Sequence, residues 1–477
     1  MDNEKIDLTK LDVEVNDLVS KRLLAKIDFK GITPWWGGDY EGYTSSIVDE
    51  DEISGKLRWF LRTIYNRFCV NNLTNYSEAE SRVSKYLGST SGKSIYTFKI
   101  RNTQTRKNFD YNNLQRLNLV LSNRQDQDRY VPIDVIRFTL EIFRDPNMDN
   151  KYDEIIVDGI LITLAFLGIG KGTNRGFGRF IPINCNNLNM SVCNEIIRGD
   201  VKGAFNKFYD IFKRIEGCNR LNQWINSTVP LSPLTTGDVD SISETTCTNN
   251  NIIQVLDTIQ SSLLKSTLKT RSYNINIRDP GPFIHTWIYG LPRHSKVPRS
   301  MNQNEMDVDT DNLQIDDRLV KRLNGMGYFN LKNGKLEEPR RQSMFVISPV
   351  FVNNTYKIYV IPFLSLKDNE EETKILVHKG IHSTQHIIHL IGVQDILSSK
   401  NNSLFPPEDN IANYRPDLSF GNVQNLIKEY RNELILNINK QCNQGPIRGN
   451  RNPPKTSNYP SHGIKSNSHY GYGKRRY

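Results

Sequence analysis

The chain carries no histidine before His285, although it has eight in all. A histidine general base is therefore excluded from its first half. Cysteine is sparse: six residues in 477, with no C-x-x-C pair. That spacing argues against a zinc ribbon or a thioredoxin-like site. The scatter predicts free thiols in a reducing compartment. No apolar run is long enough to span a bilayer; the longest, at 155–167, is broken by Asp158 and Gly159. The start, Met1-Asp2-Asn3-Glu4-Lys5, has no apolar signal core. A cytoplasmic protein without membrane contact is expected. Acidic residues are absent from Asn443 onward, where seven Lys or Arg supply +7 of the net +10. The body is thus only mildly basic, so any nucleic-acid surface on it must be local. The tail ends Tyr470-Gly471-Tyr472-Gly473-Lys474-Arg475-Arg476-Tyr477 and is too low in complexity to form a core. It reads either as an electrostatic nucleic-acid arm or as a solubilising tail.

What the chain does have is a glycine-rich basic stretch, Leu167-Gly168-Ile169-Gly170-Lys171-Gly172-Thr173-Asn174-Arg175-Gly176-Phe177-Gly178-Arg179-Phe180. It holds five glycines and three cations in fourteen positions. Glycines admit positive φ and close backbone approach, and successive N–H groups can form an anion-binding concavity. The stretch does not fit G-x-x-x-x-G-K-[ST], because Gly172 follows Lys171. It closes a helix rather than opening one, so it is not a dinucleotide fingerprint. An anion site and a mobile turn with solvated charges both remain open on composition alone.

Around this stretch the pattern reads strand, helix, strand, insertion, strand, helix, glycine loop, strand. Ala25, Ile27 and Phe29 alternate with Lys26 and Asp28. The acidic residues 49–52 precede a predicted helix at about 53–70, with an apolar stripe of Leu57, Phe60, Leu61, Ile64 and Phe68. Its polar side carries Arg58, Trp59 and Arg62, with Lys56 at the edge. Trp59 there either packs under a loop or offers a stacking surface for single-stranded RNA. Strands follow at 96–100 and 136–143, separated by a polar insertion. This order suits a ferredoxin-like β-α-β-β-α-β unit. The fold class is therefore α+β: two ferredoxin-like (RRM-like) domains with insertions, plus a disordered basic C-terminal tail. The divisions are a leader at 1–19, an N-terminal domain at 20–225, a linker at 226–262, a degenerate second domain at 263–442 and the tail at 443–477. The second domain is expected to hold helices at 382–397 and 423–439.

His378, His382, His386 and His389 would share one side of a helix. No H-E-x-x-H pattern or paired carboxylate accompanies them, so a polar stripe is the favoured reading over a metal site. Asp39 sits in a glycine-containing loop, where turn formation accounts for it. No catalytic constellation, metal or cofactor is expected.

The ending Arg175-Gly176-Phe177-Gly178 resembles the R-G-F-G motif of the RAMP superfamily of CRISPR-associated RNA-binding proteins. Ile32-Thr33-Pro34 with Gly37-Gly38, Ser54-Gly55-Lys56-Leu57-Arg58-Trp59-Phe60-Leu61-Arg62 and Leu87-Gly88-Ser89-Thr90 are similar to further motifs of one RAMP family. Gly290-Leu291-Pro292-Arg293 and Arg340-Arg341-Gln342-Ser343 also fit. In this order they resemble the first subunit of the Cmr, or type III-B, effector module. The helix motif lacks that family's proline-containing entry, and the tail has no counterpart in it. The resemblance implies a non-catalytic subunit near the 3′ region of a guide RNA and the 5′ end of a target RNA, beside other Cmr subunits. Lys56, Arg58, Trp59 and Arg62 are expected to contact RNA, with Thr33, Trp35, Lys171, Asn174, Arg175 and Arg179 lining the same groove. Two other readings are a RAMP-type endoribonuclease that processes guide precursors and a purely structural cap.

Overall fold

The computed structural model describes residues 22–37, 48–106, 132–185, 191–249, 251–264, 288–289, 327–332, 335–337, 343–365, 373–378, 388–391 and 423–443. The leader, Asp39, most of the insertion after residue 106, the motifs at 290–293 and 340–342, His382, His386 and the tail beyond Asn443 lie outside the described residues.

Alternation produces the first strand. β1 (Leu23–Gly31) buries Ala25, Ile27 and Phe29 and exposes Lys26, Asp28 and Lys30. β2 (Tyr96–Arg106), β3 (Asp134–Arg144) and β4 (Phe180–Pro182) complete an antiparallel sheet in the order β2-β3-β1-β4. That is the strand order of a ferredoxin-like unit. Its crossovers are α1 (Glu50–Phe68) and α3 (Asp153–Ile162), with α2 (Ser77–Leu87) added between α1 and β2. The acidic cluster starts α1: Asp49 caps it by accepting from the Asp51 N–H at 2.8 Å. The predicted stripe is buried, and the Phe60 ring lies 5.6 Å from that of Phe208. Phe208 belongs to α5 (Val201–Glu216), which follows α4 (Ser191–Arg198).

The second half differs from expectation. Residues 226–262 are not a linker. They contain β5 (Ser243–Cys247) and α6 (Ile252–Leu264). β5 pairs with β9 (Thr355–Pro362), which pairs with β8 (Phe345–Val352), giving the order β5-β9-β8. A Ser/Thr-rich edge strand exposes alternate polar residues, so composition alone marks it as loop. A helix, α7 (Val423–Asn443), packs with α6 and β5 over Val255, Ile259, Tyr430, Leu434 and Ile438. Four further strands, β6 (Gly327–Lys332), β7 (Lys335–Glu337), β10 (Thr373–His378) and β11 (Ile388–Ile391), form a separate sheet in the order β11-β10-β6-β7. Among the described residues this half does not repeat the β-α-β-β-α-β order. The helix expected at 382–397 is also corrected: Val377 pairs with His389 across β10 and β11. The β-branched residues around His389 favour a strand there, so His378 and His389 lie on paired strands rather than on one helix.

The thiol expectation is overturned as well. All six cysteines pair, as Cys69–Cys218, Cys185–Cys193 and Cys247–Cys442. Two of the pairs are separated by 149 and 195 residues, so the fold creates proximities that sequence spacing hides.

The described residues fall in one compact unit. Arg67, at the end of α1, ties its halves together. It donates to the Ser232 and Asn222 carbonyls at 2.8 and 3.0 Å and to Asp240 Oδ2 at 2.9 Å.

Candidate nucleic-acid interface

The apolar helix α3 runs into a wider π turn at Thr163–Leu167 and stops at Gly168. From there the glycine-rich loop is held on both sides. Against the first half, the Lys171 N–H donates to the Trp36 carbonyl at 2.6 Å and the Gly178 N–H to the Pro34 carbonyl at 2.8 Å. Against the second half, the Ile347 N–H of β8 donates to the Asn174 carbonyl at 3.2 Å. Gly178 shows why glycine is needed. Its φ is 69°, and an added Cβ would sit 2.0 Å from the Ile169 carbonyl oxygen. The loop is therefore a fitted strap across the junction rather than a mobile turn.

Arg179 locks it. This side chain, expected to line the groove, is fully buried. Its guanidinium donates to the carbonyls of Leu167 (2.7 Å), Phe177 (2.8 Å), Thr173 (2.7 Å) and Ile347 (3.0 Å), and to Ser348 Oγ at 3.3 Å. Its donors are thus directed at the protein itself, and burial lowers its pKa to about 9. Thr33 is buried too and accepts from the Arg179 N–H at 2.9 Å. Trp35 is completely buried and donates from Nε1 to Glu52 Oε2 at 3.0 Å. These three residues build the site without facing a ligand.

The α1 residues divide. Arg58 donates to Glu80 at 2.7 Å and to the Leu87 and Gly88 carbonyls at 2.8 Å, satisfying the C-terminal end of α2. Arg62 reaches Glu80 at 3.2 Å and covers the Tyr76 ring. Both therefore serve the α1–α2 contact. Trp59 is half-buried: its ring lies 4.7 Å from that of Phe363, and Lys56 Nζ sits 4.1 Å above it. Packing accounts for much of its surface.

What faces outward is smaller than expected. Lys171 is exposed, and Lys56, Asn174 and Arg175 are half-buried. Arg175 donates to Gln260 Oε1 of α6 at 3.3 Å. Four polar atoms of the residues just named and their neighbours are buried and have no hydrogen-bond partner among the described residues: Trp36 Nε1, Arg62 Nε, Asn174 Oδ1 and Gln260 Nε2. Such groups are costly to leave unpaired. Trp36, edge-on to Phe177 at 6.2 Å, was not among the expected contacts. The tandem Trp35-Trp36 was the available signal, but the sequence does not say which indole keeps a free N–H.

Lys56 has a distinctive charge state. Burial, then the positive charge of Arg179, lowers its pKa from 10.5 to about 7. Between those two values the unfolded chain binds more protons than the folded one, so this group's contribution to stability rises with pH. Lys56→Met should flatten the rise in urea midpoint between pH 7 and 9 relative to the unmodified chain. An unchanged profile would mean that the ammonium is solvated.

Among the described residues no group of three or more His, Cys, Asp or Glu could hold a metal ion. No helix among them is long and apolar enough to cross a membrane.

Residues 28–181 match the family model of the RAMP superfamily. Similar solved structures include Cmr1 from Pyrococcus furiosus in its apo form, at 12% identity and TM-score 0.42, covering 76% of this chain and 93% of that one. A chain from type III-B Cmr-beta bound to cognate target RNA is 13% identical with TM-score 0.47, covering 87% of this chain and 100% of that one. No curated protein matches the sequence. The matched segment covers α1, α2, β2, β3, α3 and the glycine-rich strap, with most of β4 and the end of β1, so this part of the chain is similar to the RAMP superfamily.

Proposed function

We propose that the chain is a non-catalytic RNA-binding subunit of a type III-B CRISPR effector in the cytoplasm. In this reading it contacts the 3′ region of the guide RNA and the 5′ end of the target RNA beside other Cmr subunits. The single observation that carries RNA contact is a pair of these unpartnered buried atoms, Trp36 Nε1 and Asn174 Oδ1, beside exposed Lys171 on the strap. One donor, one acceptor and one cation suit a nucleotide, whose bases, 2′-hydroxyls and phosphates offer all three complements. The RAMP match and the ordered motifs at 32–38, 54–62, 87–90 and 175–178 support the choice of system.

The test is a titration of the purified chain with labelled single-stranded RNA, using Lys171→Glu and Trp36→Phe. Lys171→Glu should weaken binding about tenfold and lower the slope of log K against log salt by about 0.7 for each phosphate no longer neutralised. Trp36→Phe, which keeps the ring and removes the donor, should weaken binding without changing that slope. Unaltered affinity in both would remove the strap from the RNA interface. RNA cleavage by the unmodified chain would revive the nuclease reading.

A further inference from the structure

Among the described residues the four-stranded sheet packs its helices on the face that carries Ala25, Ile27 and Phe29. The strand register sets the residues of the other face in rows. Lys99 pairs with Glu141, which pairs with Lys26. Arg101 pairs with Thr139, which pairs with Asp28. Gln104 pairs with Arg137, and Arg137 with Lys30. All five cations on these rows are exposed. The two carboxylates are already engaged: Glu141 lies 3.4 Å from Lys26 and 3.5 Å from Arg101, and Asp28 accepts from Thr139 Oγ1 at 2.6 Å. Five cations against two carboxylates leave the face at +3. Apolar surface borders it, with Phe143 beneath Lys99 at 5.6 Å and Ile183, half of it exposed, beside Asp28.

We propose that this open sheet face is a second binding surface for single-stranded RNA, with Lys30, Lys99 and Arg137 engaging phosphates. The inference deepens the RNA-binding reading and rests on it. An excess of cations that the protein does not neutralise complements a polyanion. A single strand can lay phosphates along rows of lysine and arginine while a base rests on an aromatic ring. With Phe143 as the aromatic bordering these rows, contact is mainly to phosphate and tolerant of sequence. The face is continuous with the strap. Lys30 precedes Gly31, which pairs with Phe180, the residue after Arg179. RNA leaving the strap would cross the Arg137–Lys30 row first.

The test uses the full chain with labelled single-stranded RNA over a salt series. The triple variant Lys30→Gln/Lys99→Gln/Arg137→Gln should weaken binding at least about tenfold and reduce the salt slope by about 2, from three phosphates at about 0.7 each. Glu141→Gln removes an anion from the centre of the face and should tighten binding about two- to threefold, a gain that misfolding cannot mimic. If the unmodified chain binds RNA and Lys171→Glu weakens it, but neither sheet variant changes affinity or slope, this proposal fails and the strap assignment stands. If the unmodified chain binds no RNA, the underlying reading fails. If the sheet variants lose retention of an acidic protein subunit while RNA binding is unchanged, the face is a protein contact and the proposal is overturned.

Discussion

Arg179→Ala should destabilise the chain by at least about 3 kcal/mol, because the buried Leu167, Phe177 and Ile347 carbonyls lose a donor at once, and Thr173 keeps only the Gly176 N–H. Each unpaired acceptor costs roughly 1–3 kcal/mol, so the three exceed what is regained by removing one buried charge. The damage should be local before it is global, since Leu167, Thr173 and Phe177 lie in or next to the strap and Ile347 lies across the junction. Hydrogen exchange should accelerate at 168–179 and along β8 while the β1–β3 ladder keeps its protection. Arg179→Lys should rescue little, because an ammonium cannot reproduce the planar fork that reaches both halves. Arg62→Ala is the matched control: its partner Glu80 is partly exposed, and the loss should stay within about 1 kcal/mol. A urea titration that finds Arg179→Ala no worse than Arg62→Ala would refute the locking role. Any RNA-binding defect of Arg179→Ala would then need another explanation than a collapsed strap.

The same arginine shows what the sequence does and does not make legible. Periodicity is a local signal, and it located β1, α1, β3 and α7 because each buries one face of its own repeat. Strand order in the first half followed from the order of elements. Side-chain direction in an aperiodic loop is not local. Arg175 and Arg179 look alike in the sequence, yet one lies half-buried against Gln260 and the other is fully enclosed. The difference is set by β8, more than 160 residues away. Likewise, the polar side of α1 was visible, but Glu80 and the end of α2, which engage Arg58 and Arg62, were not. In the second half, β5 read as a linker because an edge strand of Ser, Glu and Thr carries little apolar signal. The histidines read as helical because their spacing fits one period while the isoleucines between them fit another.

Reduction of the disulfides should have the largest effect of all. Cys69–Cys218 closes 149 residues and Cys247–Cys442 closes 195. Chain-entropy arguments assign about 5 kcal/mol to each closure of that size, and about 2–3 kcal/mol to the 8-residue closure at Cys185–Cys193. The first bridge pins the end of α1 to the segment after α5. The third pins the end of α7 to the end of β5, where Tyr430, Leu434 and Ile438 cover the second core. Without that anchor α7 depends on packing alone. Dithiothreitol should therefore lower the melting temperature by more than about ten degrees. Cys247→Ser should reproduce much of the shift and first expose the second core to protease. Cys185→Ser should change it least, because its loop is short. Thiol titration of the unreduced, denatured chain should find no free thiol. Six titratable thiols together with an unchanged melt in reductant would instead place these cysteines in contact without bonds, and the stability of the second half would have to come from its apolar core alone.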